Sequence, residues 1–227
     1  MKPLEYQNHT LTDEHLTPQK SYRAYDIQKR LFDLIVVTFA SIAALPIIGI
    51  SALLIKTISP GSPFFSHERV GLHGRMIRVW KLRTMHCNSQ ELLAKHLAEN
   101  PEAKLEWEQF FKLKNDPRII QGIGNLLRKT SMDELPQFWN IFKGEMSVVG
   151  PRPVTLSELD FYGEAKRFYL AVLPGLTGLW QVSGRNNTTY EERVVLDTKY
   201  VYERSIFFDL KIFFRTFYVV FVQDGAC

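Results

Sequence analysis

The sequence predicts an α+β fold, predominantly helical and associated with a membrane. Three observations carry this: one long uncharged apolar run near the start, several segments with apolar residues at helical spacing, and two short alternating segments around a glycine-rich turn. The 227 residues suffice for one core of ordinary size. The net charge of +4, from 28 basic and 24 acidic residues, suits a phosphate-bearing partner or an anionic membrane surface. It is too small an excess to indicate nucleic acid, and no zinc spacing, helix-turn-helix or aromatic RNA-binding motif occurs. The two cysteines, Cys87 and Cys227, provide neither a disulfide framework nor a metal-ligand pair, and fit a reducing compartment. Cys227 is the last residue, so it forms no prenylation box.

Residues 1–25 are polar, lack an apolar period and read as a disordered tail. Residues 26–59 form the membrane segment. Leu34 to Ile55 are 22 positions without a charge; as a straight helix they would span about 33 Å, enough to cross a bilayer. The run begins too far into the chain for a secretory signal, and cleavage near Ala43 would cut inside it. Pro46 removes a backbone donor and predicts a kink or break. Each half alone reaches only partway across. Basic residues flank both ends: Lys20, Arg23, Lys29 and Arg30 before, Lys56, Arg69, Arg75, Arg78, Lys81 and Arg83 after. The positive-inside bias therefore draws both ends to the cytoplasm. These signals leave open a kinked crossing or a re-entrant helix that bends at Pro46 and returns.

Residues 60–227 are expected to form a membrane-associated domain. Phe64–Val70 and Met76–Leu82 alternate as short strands, with Gly71-Leu72-His73-Gly74 as the hairpin turn. Residues 89–113 read as helix with a break at Pro101, and Asn115-Asp116-Pro117 ends that unit. Leu135, Phe138, Trp139 and Phe142 form one stripe of a helix over Met132–Lys143, which Gly144 is placed to end. A helix over Leu156–Leu170, a strand over Leu179–Val182, and helices over Tyr190–Tyr202 and Ile206–Val222 complete the chain. The last carries Asp209, Lys211 and Arg215 among many Phe and Val, which suits either a membrane-interface helix or a core helix.

The candidate site is Asp133-Glu134. Ser131-x-x-Glu134 has the spacing of a helix capping box, and carboxylates are favoured at a helix N-terminus. Yet cations cluster around the pair in the sequence: Arg128 and Lys129 precede it, Arg152 sits in Gly-Pro-Arg-Pro, Lys81 and Arg83 end a strand, and Arg185 lies in a Gly/Asn loop. Arg holds phosphate bidentately and Lys as a point charge. Carboxylates among such cations suit phosphoryl transfer, with one acid attacking and the other orienting a metal or handling a proton. Spacing does not say which does which.

Seven ordered blocks then carry a resemblance: Lys29-Arg30-Leu31-Phe32-Asp33, Lys81-Leu82-Arg83-Thr84-Met85, Asp116-Pro117-Arg118-Ile119, the run Leu127 to Gln137, Gly150-Pro151-Arg152-Pro153, Pro174-Gly175-Leu176-Thr177-Gly178 and Gly184-Arg185-Asn186. Together, over residues 25–227, they resemble the bacterial sugar transferase family of monotopic phosphoglycosyl transferases, which initiate exopolysaccharide, capsule and O-antigen assembly. The resemblance implies transfer of a sugar-1-phosphate from a UDP-sugar, UDP-galactose or UDP-glucose, to undecaprenyl phosphate with release of UMP. It implies Asp133 as nucleophile and Mg²⁺ contact, Glu134 as its dyad partner, Mg²⁺ as cofactor, and Arg128, Arg152 and Arg185 as positions that surround phosphate; Lys81 and Arg83 join them as substrate-binding candidates from their place at the strand end. It also implies a re-entrant hairpin bent at Pro46, membrane lipid and downstream glycosyltransferases as partners, and catalysis on the cytoplasmic face of the bacterial inner membrane. Leu45 stands where many relatives carry Ser, and Gln121-Gly122 departs from a more basic pair. The multi-helix N-terminal region of larger relatives does not appear, so the chain resembles the minimal form. The alternative is a non-catalytic membrane scaffold for polysaccharide assembly, for which loss of the dyad would be the mark; both acids are present.

Overall fold

The computed structural model describes residues 23–110, 113–184 and 188–222. The expected tail up to residue 22, and Arg185, lie outside the described residues. Helix α1 runs from Arg23 to Ile58, so Arg23 to Tyr25 belong to the helix rather than to a tail. Pro46 sits inside α1 without ending it, so of the expected kink or break the break does not occur. Proline removes one intrahelical bond, and here the helix is held by packing on both sides of it.

That packing uses one stripe. Asp33, Val37, Ala44, Ser51 and Ile55 are buried at helical spacing, while Phe39, Ile42, Leu45, Ile50 and Leu53 are exposed. Val37 joins a core with Ile141 and Val149, and Ile55 joins another with Leu82, Ile120 and Leu127. The two ends of α1 therefore rest on the same folded body. Polar anchors fix the first end. Lys29 Nζ reaches Asp209 Oδ2 at 2.8 Å, and Arg30 donates to the carbonyls of Ile141 and Phe142 at 2.6 and 2.8 Å. Asp33 accepts from Ser147 Oγ at 2.9 Å and Val148 N at 3.0 Å. α1 is long and apolar enough to cross a membrane.

Strands β1 (Phe64–Val70) and β2 (Met76–Leu82) form the expected antiparallel hairpin. Helices α2 (Ser89–Glu99) and α3 (Pro101–Phe110) meet at Asn100, where Pro101 enforces the break. Helix α4 (Ile123–Thr130) follows and then a single 3₁₀ turn, Met132–Glu134, before helix α5 (Gln137–Lys143). The helix expected over Met132–Lys143 is thus split. Asn140 ties α5 to β2: its side chain accepts from Trp80 N at 3.2 Å and donates to Arg78 O at 2.7 Å.

Strand β3 (Ser147–Val149) pairs in parallel with β4 (Gly175–Thr177). The strand expected at Leu179–Val182 is instead turn, displaced by this pairing. A Cβ on Gly175 would lie 2.1 Å from Gly150 N, and one on Gly178 2.1 Å from Gly150 O. The two glycine motifs therefore exist to press backbone on backbone. Helices α6 (Leu156–Asp160) and α7 (Lys166–Tyr169) replace the expected Leu156–Leu170 helix, because Gly163 at φ 48° turns the chain between them. Helices α8 (Tyr190–Glu203) and α9 (Ile206–Val222) close the described chain. α9 satisfies both readings of its sequence: Asp209 and Ile212 are buried, whereas Phe207, Phe214 and Tyr218 are bare. Exposed apolar residues on α1 and α9, two helices in contact, leave an uncovered apolar surface of the kind that meets a membrane.

Candidate active site

Asp133 and Glu134 lie on the 3₁₀ turn between α4 and α5. No capping box forms there. Ser131 closes α4 at φ 57°, in the left-handed region, so its hydroxyl is not placed as an N-cap. Glu134 turns instead to the cations. Its Oε1 takes Lys81 Nζ at 2.6 Å and lies 3.6 Å from Arg152 Nη1. Asp133 Oδ2 meets Lys81 Nζ at the longer distance of 3.7 Å. True capping boxes occur elsewhere, at Thr155/Glu158 and Thr189/Glu192.

The two acids are therefore unequal. Burial pushes the Asp133 carboxyl above the usual aspartate range; the adjacent Glu134 charge adds to this, and Lys81 and Arg128 oppose it without cancelling it. Burial also acts to raise Glu134, but Lys81 and then Arg152 outweigh it and hold that carboxyl below its usual range. Glu134 is the engaged carboxylate and Asp133 the less engaged one.

The other expected cations divide. Arg128 is exposed on α4 and acts on both Asp133 and Asp116 through its charge. Arg152 is carried by the Gly150 turn, where Gly150 N donates to Thr177 O at 2.8 Å and Gly175 N to Pro151 O at 2.7 Å. Arg83 is not brought to the dyad. Its guanidinium is buried and donates to Ser59 Oγ, Ser59 O and Ser62 O at 2.6–2.8 Å, tying the end of α1 to β2. β2 ends at Leu82, so strand alternation no longer keeps Arg83 on the face of Lys81.

Three residues escaped the sequence reading. Gln137 is buried beside Glu134, and Arg69 lines the same small cavity as Lys81, Glu134, Gln137 and Arg152. Arg193, buried on α8, lies over the rings of Trp180 and Tyr190 at 4.7 and 5.2 Å and donates to the Arg152 carbonyl at 3.4 Å. Only Arg69 had a readable signal, its place in the alternation of β1. A separate apolar groove of ≈ 370 Å³ runs between α1 and α5, past Leu135 and Pro136, the residues that follow the dyad. Trp139 and Phe142 of the α5 stripe wall this groove rather than the core.

Among the described residues no group of three or more His, Cys, Asp or Glu is gathered for a metal; Asp133, the less engaged acid, is the carboxylate that could meet a hard cation, since Mg²⁺ uses one or two carboxylates together with substrate phosphates.

An acid pair in a cradle of cations thus lies beside an apolar groove and a long apolar helix. The chain belongs to the bacterial sugar transferase family, whose model matches residues 24–223. It is 48% identical over 198 residues to the UDP-galactose-lipid carrier transferase of Erwinia amylovora, covering 87% of this chain and 41% of that one. It is 47% identical to the undecaprenyl-phosphate galactose phosphotransferase of Salmonella typhimurium, over 87% of this chain and 41% of the other. It is also 45% identical to the exopolysaccharide production protein ExoY of Sinorhizobium fredii, covering 88% of each. The chain thus spans about two-fifths of the first two relatives and most of the third.

Proposed function

We propose that this chain transfers a hexose-1-phosphate from a UDP-sugar to undecaprenyl phosphate, with UDP-galactose the favoured donor, releasing UMP and starting exopolysaccharide or capsule assembly. The observation that carries this reading is the unequal dyad: a half-buried Asp133, 3.7 Å from Lys81 Nζ, beside a Glu134 that Lys81 and Arg152 engage at 2.6 and 3.6 Å. The names of the Erwinia amylovora and Salmonella typhimurium relatives support the donor and acceptor.

In the first half-reaction an Asp133 carboxylate oxygen attacks the phosphorus attached to the sugar. The P–O bond to UMP breaks, UMP leaves, and an aspartyl-phosphosugar remains. In the second, an oxygen of undecaprenyl phosphate attacks the same phosphorus. The Asp133 O–P bond breaks and the carboxylate returns. Lys81 and Arg152 neutralise phosphate charge and keep Glu134 ionised, which orients them in turn. Asp133 would hold Mg²⁺, which when bound neutralises further phosphate charge. The apolar groove offers the lipid chain a place beside the attacked phosphorus.

The membrane segment is read as re-entrant, with the domain on the cytoplasmic face of the inner membrane. Support comes from the ends of α1, which both rest on one domain, and from basic residues at both flanks. In a Cys87→Ser, Cys227→Ser background, cysteines placed at Arg23 and at His73 are expected to resist an impermeant reagent in intact cells and to react after permeabilisation. Labelling of the Arg23 position in intact cells would mean a true crossing.

The activity itself is tested with the protein in lipid nanodiscs, MgCl₂ and separate UDP-sugars. UMP release is expected with UDP-galactose, in step with lipid-linked sugar, when undecaprenyl phosphate is in excess over enzyme. Sustained turnover without that acceptor would make the protein a hydrolase and overturn the transferase reading.

A further inference from the structure

Arg69 stands in the sequence as one of many basic residues after the apolar run. The hairpin register gives it a more specific place. Arg69 pairs with Ile77, His67 with Val79 and Phe65 with Lys81. Residues directly opposite in an antiparallel pair share a face, so Arg69 and Lys81 project from the same side of the hairpin. That side, with Val79, walls the small cavity that also holds Glu134, Gln137 and Arg152. The other side, with Phe64 and Trp80, walls the apolar groove. The dyad turn thus lies between a polar cavity and an apolar groove, divided by β2.

Arg69 is held firmly but not fully engaged. Its Nη1 donates to Glu158 Oε2 at 2.7 Å. Glu158 is itself fixed by Thr155, whose N and Oγ1 both donate to Oε2 in a capping box. Among the described residues no hydrogen bond engages Arg69 Nε or Nη2. Arg152 lies near enough that its like charge disfavours the Arg69 cation, adding to the effect of burial against the pull of Glu158. With Arg69 paired to Glu158 and Glu134 matched chiefly by Lys81, Arg152, which meets Glu134 only at 3.6 Å, leaves positive charge on this cavity that an anion would balance.

We propose that Arg69 is a substrate-binding residue that, with Arg152, holds the diphosphate of the nucleotide-sugar on the polar side of β2, while the lipid acceptor uses the groove side. This rests on the transferase reading above for its substrates, but the affinity for a nucleoside diphosphate tests it separately. The probe is UDP itself, titrated calorimetrically into the protein in nanodiscs with MgCl₂. One charge-assisted hydrogen bond lost to the ligand is expected to weaken UDP binding by about 10- to 100-fold in Arg69→Gln, with partial recovery in Arg69→Lys. Glu158→Gln breaks the ion pair from the other side while keeping the capping geometry and Arg69. It is expected to change UDP affinity by less than about threefold, because the guanidinium still reaches the ligand.

In turnover assays the Arg69→Gln loss is expected in KM for the UDP-sugar, with KM for undecaprenyl phosphate unchanged. Equal losses in Arg69→Gln and Glu158→Gln would show a purely structural ion pair and overturn the proposal, as would wild-type UDP affinity in Arg69→Gln. A rise in KM for undecaprenyl phosphate alone would assign Arg69 to the lipid phosphate and overturn the nucleotide assignment. If the wild-type protein turned over no UDP-sugar yet bound UDP through Arg69, the binding inference would stand and the transferase reading would fall.

Discussion

Asp133→Asn is expected to lower turnover by at least about 10³-fold, the scale on which removal of a nucleophile usually acts, without unfolding the protein. The amide keeps the shape of the side chain but has no anionic oxygen to form the bond to phosphorus. Stability should move the other way or not at all. Burial and the neighbouring Glu134 both disfavour an ionised Asp133, so a neutral isostere removes an unfavourable charge, as often happens when a functional residue is replaced. Two measurements on one sample check this: lipid-linked sugar formed from UDP-galactose, and the thermal midpoint in nanodiscs. Ample lipid-linked sugar from the variant would remove Asp133 from the nucleophile's position. Loss of activity together with a collapsed midpoint would make the residue a structural one.

Local periodicity was enough for the elements that it governs. The β1–β2 hairpin and α9 occupy the residues that alternation and helical spacing indicate, and α8 differs by one residue at its end. The break at Pro101 follows from proline chemistry alone. What sequence could not reveal is decided by contacts between distant residues. β3 and β4 are three residues each, and β3 is buried throughout, so it shows no alternation. Helix α4 segregates its apolar side clearly, with Leu127 buried, but its eight residues make barely two turns, too short a window for helical spacing to stand out. Gly163 ends α6–α7 as a single helix through a positive φ that its surroundings do not announce.

The site divides in the same way. Asp133, Glu134, Lys81 and Arg152 meet, although Lys81 is 53 residues from Glu134, because β2 packs against the 3₁₀ turn. The dyad was legible as a charge pattern, but its geometry was not: the capping spacing at Ser131 is real in the sequence and unused in the fold, since Ser131 is the left-handed end of the previous helix. Arg83 shows the converse. Its charge reads as a phosphate ligand, and only the backbone oxygens of Ser59 and Ser62 reveal an anchor for the end of α1. Motif residues in one block thus serve different ends. Lys81 faces the acids, and two positions later Arg83 fastens the end of α1 to the strand that carries Lys81.

Lys81→Met is expected to lower kcat/KM by about 10²-fold, in the range seen when one preorganised charge-stabilising donor is removed, and to move the acid limb of activity to higher pH. Lys81 is the chief opponent of burial for both carboxylates. Without it the Asp133 pKa, already above the usual aspartate range, rises further, and Glu134 loses the main cause of its depression. In the proposed reaction Asp133 must be ionised to attack. Activity therefore falls as pH drops through the Asp133 pKa, and in the variant that fall begins at a higher pH than in the wild type. Methionine keeps the length and apolar stem of the side chain, so packing beside Val79 changes little. Lys81→Arg should restore the position of the limb better than the rate, because a planar fork keeps the charge but alters its contacts with Glu134. The check is a kcat/KM profile against pH for the three proteins. A lower rate with an unmoved limb in Lys81→Met would mean that Lys81 binds substrate without controlling the ionisation of the dyad.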